Sequence, residues 1–324
     1  MERTHRQPPS EADLVSISGG RFLMGCDGFY PEESPVRLVD VDPFFIQRTP
    51  VTNRSFGRFV DATGYETVAE RALRSEDYPD ADPDLLQPAS MVFAPPPHPA
   101  SLRDPSQWWR LIRGANWRSP FGPEGRPAHP DHPVVHIALE DADAYASWAG
   151  LRLPTEAEWE FAARGRLKGA VYAWGDCLHP DGRRMANTWR GDFPSPPEDD
   201  PTGFGTTPVG AFPANDFGLF DMIGNVWEWT DDYFAPHKDS APPKSCCALS
   251  NPRNRNAQAS LDRPRGGRIP RKVLKGGSFM CAPNYCRRYR PAARHPQDID
   301  TGASHIGFRC VRSINETDDR SATS

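Results

Sequence analysis

The sequence predicts an α+β domain rich in loops, with little regular secondary structure and strands paired across long intervals. Three observations predict it. Pro and Gly together make up 62 of 324 residues, or 19%, above the ordinary share of about 12% and short of the roughly 25–30% at which composition implies disorder. Nine Trp and 17 Phe supply bulk for a folded core. The segments that read as extended, at 14–24, 37–46, 133–138, 272–279 and 306–312, lie far apart, so long loops must intervene between paired strands. The prolines conflict with a long-helix bundle, and a doubly wound sheet needs apolar strands alternating regularly with helices.

Along the chain, residues 1–14 and 313–324 are polar and read as frayed ends. Residues 15–312 read as one domain with neither linker nor internal repeat. Thr52 caps a helix whose Phe56, Phe59 and Val60 fall at i, i+3 and i+4, and Gly64 ends it. A second helix runs from Leu139 to Ala149 and stops at Gly150. Thr155 begins a third, with Glu158 completing a capping box after Pro154, and Trp159, Ala162 and Ala163 on its buried face.

The net charge of -5 argues against a general nucleic-acid binder. The locally basic stretch from Arg253 to Lys275, with eight Lys or Arg and one Asp, reads as a solvated loop. No run approaches 18 apolar residues, so no membrane-spanning helix is expected. The first residues, MERTHRQPPSEADLVSISGG, contain no apolar signal core. A cytoplasmic monomer with reduced thiols is the expectation. The seven cysteines, Cys26, Cys177, Cys246, Cys247, Cys281, Cys286 and Cys310, form no regular disulfide framework.

Three constellations can carry chemistry. His129, His132 and His136 invite a metal, but Pro133-Val134-Val135 favours an extended backbone that separates residues four apart by about 13 Å, so structural histidines are expected. The loop Asp221-Met-Ile-Gly224-Asn-Val226-Trp-Glu228 offers carboxylates and a glycine bend, which suits calcium or an ordinary turn. The loop Lys275-Gly-Gly-Ser278-Phe-Met-Cys281-Ala-Pro-Asn-Tyr285-Cys286 places two thiols five residues apart around a proline. It admits structural zinc, with Cys246-Cys247 as further ligands, or a disulfide, or a soft two-coordinate ion such as Cu(I).

The last loop, continued by Arg-Arg-Tyr-Arg290-Pro-Ala-Ala-Arg294 and Gly307-Phe308-Arg309-Cys310, resembles that of the formylglycine-generating enzymes, the sulfatase-modifying factor family. GGRFLMG at 19–25, VTNRSFGRFV at 51–60, RGANWRSPFG at 113–122, HPVVHIALEDADAYASWAGLRLPTEAEWEFAARG at 132–165, YAWGD at 172–176, ANTWRG at 186–191 and FGLFDMIGNVWEW at 217–229 follow in the family's order. The GNVWEW and GFR pieces mark only the fold. The Cys-x4-Cys loop after GGS marks active members, and the Cys246-Cys247 pair looks like the bacterial branch.

The resemblance implies a variant of the C-type-lectin fold and an oxidase. It would convert the cysteine of a C-x-P-x-R motif, presented by an unfolded sulfatase chain or peptide, to Cα-formylglycine with O2. Carried over, Cys281 and Cys286 would bind Cu(I) and form the reactive pair, with Ser278 beside them and Tyr285 and Trp227 lining the site. An older reading of the family uses the two cysteines as a metal-free thiol relay. Calcium would take Asp221, Gly224, Val226 and Glu228, and a second calcium would begin at Asn187 and Thr188. Pro201 stands where that second loop expects an Asp, with Asp199 or Asp200 in its place. Ala282 replaces a histidine of some members. Ala146, Ala163 and Pro291 remove secretory disulfides and leave Cys310 unpartnered. The acidic groups that hold the substrate arginine in secreted members fall on Pro50 and Ala89. Two other classes compete: a binding paralogue, which lacks the cysteine pair, and an iron-dependent sulfoxide synthase, which needs an upstream H-x3-H-x-E helical domain.

Overall fold

Strand β4 (Phe44–Gln47) pairs antiparallel with β1 (Leu14–Ile17) on one side and β12 (Val311–Ser313) on the other, so the two ends of the described chain meet on one strand. The computed structural model describes residues 13–76, 79–80, 82–96, 100–196, 204–237 and 248–314. Leu14 and Ser313, expected to be frayed, are strand residues. Ile17, Phe44, Ile46 and Val311 are buried on this sheet; their alternation with more exposed neighbours is what a half-buried strand requires.

Strands β2 (Gly20–Met24), β3 (Arg37–Val41) and β8 (Leu249–Ser250) form a second sheet. β5 (Ala89–Phe93) and β6 (Trp109–Arg113) form a two-stranded antiparallel pair. The central sheet has the order β10-β9-β7-β11, with β7 (Trp227–Tyr233), β9 (Arg271–Lys275), β10 (Arg294–Asp298) and β11 (Ile306–Gly307). The architecture is mixed α+β with much irregular chain, as the Pro and Gly content predicts.

The three helices follow their local signals. Thr52 accepts from the backbone N–H of Ser55 at the head of α1 (Asn53–Thr63), and Gly64 closes it in the left-handed region. α2 spans Leu139–Trp148. The Thr155–Glu158 capping box opens α3 (Glu156–Arg164), and Arg152 clamps Glu158 with two bonds of 2.7 and 2.8 Å. Such a cap contributes about 1 kcal/mol. Phe56 and Phe59 of α1 pack against Tyr145 of α2.

α3 departs from expectation. All nine of its residues are buried, not one face. Its charges are tolerable there because each is paired. Glu160 meets Lys275 at 2.9 Å and Arg164 at 2.7 Å, and Glu156 meets Arg294 at 2.8 Å. The basic stretch 253–275 is correspondingly only part loop, since β9 runs through the centre of a sheet and buries Lys272 and Lys275.

Two other readings need correction. The segment 133–138 is not a strand. Pro133 makes an isolated bridge to Thr52, and His136 turns to φ 61° so that its ring is buried between Ser90 Oγ at 2.8 Å and the carbonyl of Pro120 at 2.9 Å. The histidine is structural, as expected, but for this reason. The expected loop through Glu228 ends earlier, because Trp227 and Glu228 open β7.

Candidate active site

The site loop hangs from β9. That strand ends at Lys275, not at 279, because Gly276 and Gly277 take φ of 90° and 74°. A Cβ on Gly276 would lie 2.8 Å from the carbonyl oxygen of Met222, and one on Gly277 would lie 2.8 Å from that of Arg288. Only glycine fits both positions. The chain then turns twice: Cys281 N–H donates to Ser278 O at 3.0 Å, and Cys286 N–H to Ala282 O at 3.0 Å. The second turn starts with Pro283, whose fixed φ suits it, and it folds Cys286 back on Cys281. Their sulfurs stand 3.4 Å apart. That separation is too long for a disulfide and right for one S–H···S bond.

The backbone N–H of Ser278 donates to Cys281 Sγ at 3.4 Å, and Ser278 Oγ accepts from Met280 N–H at 3.3 Å. Tyr285 stacks on Phe193 with ring centres 4.5 Å apart and stays 37% exposed at the rim. Trp227 stacks on His295. Cys281, Cys286, Ser278, Tyr285 and Trp227, all selected in sequence, line one cleft of about 370 Å³.

Sequence reasoning missed the far wall, built by Met91, Trp109, His295, Gln297 and His305. It also missed Arg288. This guanidinium lies 4.0 Å from Cys286 Sγ, stacks on Tyr30 at 3.8 Å and donates to Glu32 at 2.5 Å. Its signal was its place two residues after Cys286; the signal for Glu32 lies 256 positions away.

The electrostatics separate the two thiols. The hydrogen bond from Cys281 brings Cys286 down to about 6 against the effect of burial, with Arg288 assisting. Burial and the same bond push Cys281 well above the usual thiol range. Cys286 is therefore the more acidic thiol of the pair and Cys281 the less acidic. Burial holds His295 at about 4 and His305 at about 3, so both imidazoles are neutral. No Asp or Glu lines the cleft among the described residues.

The donor set is two sulfurs, which fits a soft ion of low coordination number. Zinc needs four ligands. Among the described residues no cluster of three or more His, Cys, Asp or Glu can hold a metal, and Cys246 and Cys247 lie outside them. Cys281, Cys286 and Cys310 are free thiols, as are Cys26 and the exposed Cys177.

In the loop expected to take calcium, Asp221 Oδ2 already accepts from Gly210 N–H at 2.7 Å. Asp221 is raised to about 6 by burial, with Glu228 adding to the rise. Glu228 Oε2 accepts from Arg309 and Trp159, but Oε1 accepts only from Arg309, which leaves it a lone pair. Gly224, at φ 74°, lies against Asn187, with a Cβ there only 2.4 Å from its carbonyl oxygen. At the described start of the second loop the polar groups are already engaged. The carbonyl of Thr188 accepts from Arg184 at 3.1 Å, Asn187 turns its amide N–H toward Gly205 O and Asn225 Oδ1, and Arg184 and Arg190 share the cavity wall with them. Asp199, Asp200 and Pro201 lie outside the described residues.

Fold and site together define a loop-rich α+β protein whose open cleft presents a paired-thiol centre. Residues 1–314 match the Sulfatase-modifying factor enzyme 1-like domain. The formylglycine-generating enzyme of Mycobacterium tuberculosis is 52% identical over 92% of this chain and 97% of its own. The inactive C-alpha-formylglycine-generating enzyme 2 of Mus musculus is 37% identical over 97% of this chain and 89% of its own. PvdO from Pseudomonas aeruginosa shares the fold at a TM-score of 0.59 and 22% identity, over 93% of this chain and 94% of that one. The chain belongs to the sulfatase-modifying factor family, that of the formylglycine-generating enzymes.

Proposed function

We propose that this chain oxidises the cysteine of a C-x-P-x-R segment, in an unfolded sulfatase or a peptide, to Cα-formylglycine with O2 as the oxidant. The observation that carries the reading is the pair of free sulfurs 3.4 Å apart on the wall of an open cleft. The substrate CH2–SH gives up two electrons and two protons to become a thioaldehyde. Water adds to this, and hydrogen sulfide leaves to give the aldehyde. Reduction of O2 to water takes four electrons, so a thiol reductant supplies the other two and leaves as its disulfide.

Cys281 and Cys286 would hold Cu(I). Bound there, it supplies the one-electron step that spin pairing denies to a direct reaction of O2 with a thiol. Cys286 is the more acidic of the two thiols, and both give up their protons when a metal binds. Ser278 packs against Cys281 where the substrate sulfur enters. Trp227, Trp109 and Tyr285 offer flat apolar surfaces to an extended peptide. The cleft's own cation is Arg288, so the substrate arginine is held outside it. Calcium on Asp221, Glu228 and the carbonyls of Gly224 and Val226 would pin the loop beneath the site. The five free thiols among the described residues suit a reducing cytoplasm. No helix among the described residues is long and apolar enough to cross a membrane.

The test is incubation of the protein with Cu(I), air, a reductant and a C-x-P-x-R peptide. The expected product shows the mass change of CH2–SH to CHO. An unchanged peptide with copper bound would place the chain with the inactive members.

A further inference from the structure

We propose that a second cavity, on the opposite face of β10 from the dithiol cleft, binds a small oxyanion, either a phosphate-like ion or a carboxylate. Arg294 and His295 are successive residues of β10 and point to opposite faces. His295 lines the dithiol cleft, and Arg294 lines a separate cavity of about 400 Å³ together with Arg37, His237, Arg253, Glu156 and Asp232.

The hydrogen-bonding groups in this cavity are unevenly matched, although Glu156, Glu160 and Asp232 attract Arg37 at longer range. Glu156 is taken by both sides of the Arg294 fork, at 2.8 Å each. Asp232 accepts the backbone N–H groups of Glu156 and Asn254 and lies 3.5 Å from Arg253 Nε. Arg253 is held by Asp231. Arg37 is left over. Its Nη2 reaches Met24 Sδ at 3.5 Å and His237 Nε2 at 3.1 Å, and its Nε has no partner among the described residues. An Arg–carboxylate pair is the usual solution for a guanidinium so placed, and none of the described carboxylates reaches it.

His237 extends the pattern. A guanidinium only donates, so Nε2 must accept from Arg37 and the ring proton sits on Nδ1. Glu156 Oε2, 3.9 Å from Nε2, is too far to change that tautomer. Nδ1–H is buried and without a partner among the described residues, in a residue only 7% exposed. Two unpartnered donors, Arg37 Nε–H and His237 Nδ1–H, thus share one cavity with the fork of Arg253 nearby. Buried donors left unmade are costly, and an oxyanion supplies several acceptors at once. This site uses none of the residues assigned to oxidation, so its test is independent of that reading.

Wild type, Arg37→Met and His237→Phe proteins are titrated at pH 7 with sodium phosphate and, separately, sodium acetate, against sodium chloride of matched ionic strength, while the melting temperature is followed. A ligand that binds only the folded state raises it with the logarithm of ligand concentration once that exceeds Kd. The site predicts such a rise in wild type and at least a tenfold weaker apparent affinity in both variants. Phosphate acting alone names a tetrahedral anion, and acetate acting as well names a carboxylate group. His237→Phe keeps the ring volume and decides the matter if Arg37→Met does not fold. An equal response in wild type and variants, or none beyond chloride, overturns the site and leaves the cavity to water.

Discussion

Glu32 holds Arg288 against the thiol of Cys286: the guanidinium donates to Glu32 Oε1 at 2.5 Å and lies 4.0 Å from the sulfur. The two residues meet only because the 3-10 turn Pro31–Glu33 packs on the segment that leaves the site loop. The fixed cation therefore comes from tertiary packing, though the thiol it faces is two residues away in sequence. Alkylation of Cys286 by iodoacetamide, followed against pH, is expected to rise with a midpoint near 6. Arg288→Gln moves that midpoint upward by removing the cation, and Cys281→Ala moves it upward by removing the S–H donor. A wild-type midpoint in the ordinary thiol range would contradict this electrostatic picture.

The Arg290–Glu33 pair is buried on both sides, at 1% and 0% exposure, with bonds of 2.5 and 2.7 Å. Arg290→Met leaves the Glu33 carboxylate inside without its cation. A loss of about 3–5 kcal/mol is expected in urea unfolding. Arg21→Met, which breaks the exposed pair with Asp40, is expected to change stability little. Similar losses in the two variants would show that burial is not what makes the first pair matter.

Stability is expected to fall on acidification in two stages. His136 is buried and neutral, with burial depressing it from 6.5 to about 4. The unfolded chain binds a proton there first, so stability declines as the pH drops from about 6.5 toward 4. Burial would raise Glu160, but Lys275 and Arg164 overcome it and lower the group to about 2. Its contribution is complete above the ordinary carboxylate range and is lost as the pH drops from about 4.5 toward 2. Melting temperatures across pH 2–8 check this, and His136→Gln should shrink the upper stage without abolishing it, because burial also lowers His132, His295 and His305.

Calcium is expected to raise the melting temperature of wild type after chelator treatment, and magnesium to do so less. In Asp221→Asn the calcium response should disappear. Asn187→Ala should leave it in place, because Arg184 already takes the carbonyl of Thr188 beside it. A calcium response that survives in Asp221→Asn and vanishes in Asn187→Ala would reverse the assignment.

What was legible in the sequence was local. Thr52 and Gly64 bound α1 as read, and the Thr155–Glu158 box opens α3 as read, because capping is decided within four residues. Strand β10, Arg-His-Pro-Gln-Asp, was not legible, since its charges and proline carry no strand signal and its pairing with β9 makes it extended. The pair β5 and β6 was missed for a related reason: its members are joined by a long Pro-rich connection with no hairpin turn. The dithiol loop was readable because both sulfurs lie in one short segment. The opposite wall was not, because Met91, Trp109, His295 and His305 come from three separate regions and converge only after the sheet forms. The extended reading of 133–138 failed at His136, where two hydrogen bonds to the ring outweigh the β preference of its neighbours.

The most direct measurement compares wild type, Cys281→Ser and Cys286→Ser for aldehyde formation on a C-x-P-x-R peptide, with Cu(I) bound per chain measured on the same samples. The account predicts one Cu(I) and turnover in wild type, and loss of both in each variant. Retained aldehyde formation in either variant would contradict the assignment of the paired thiols to the oxidation.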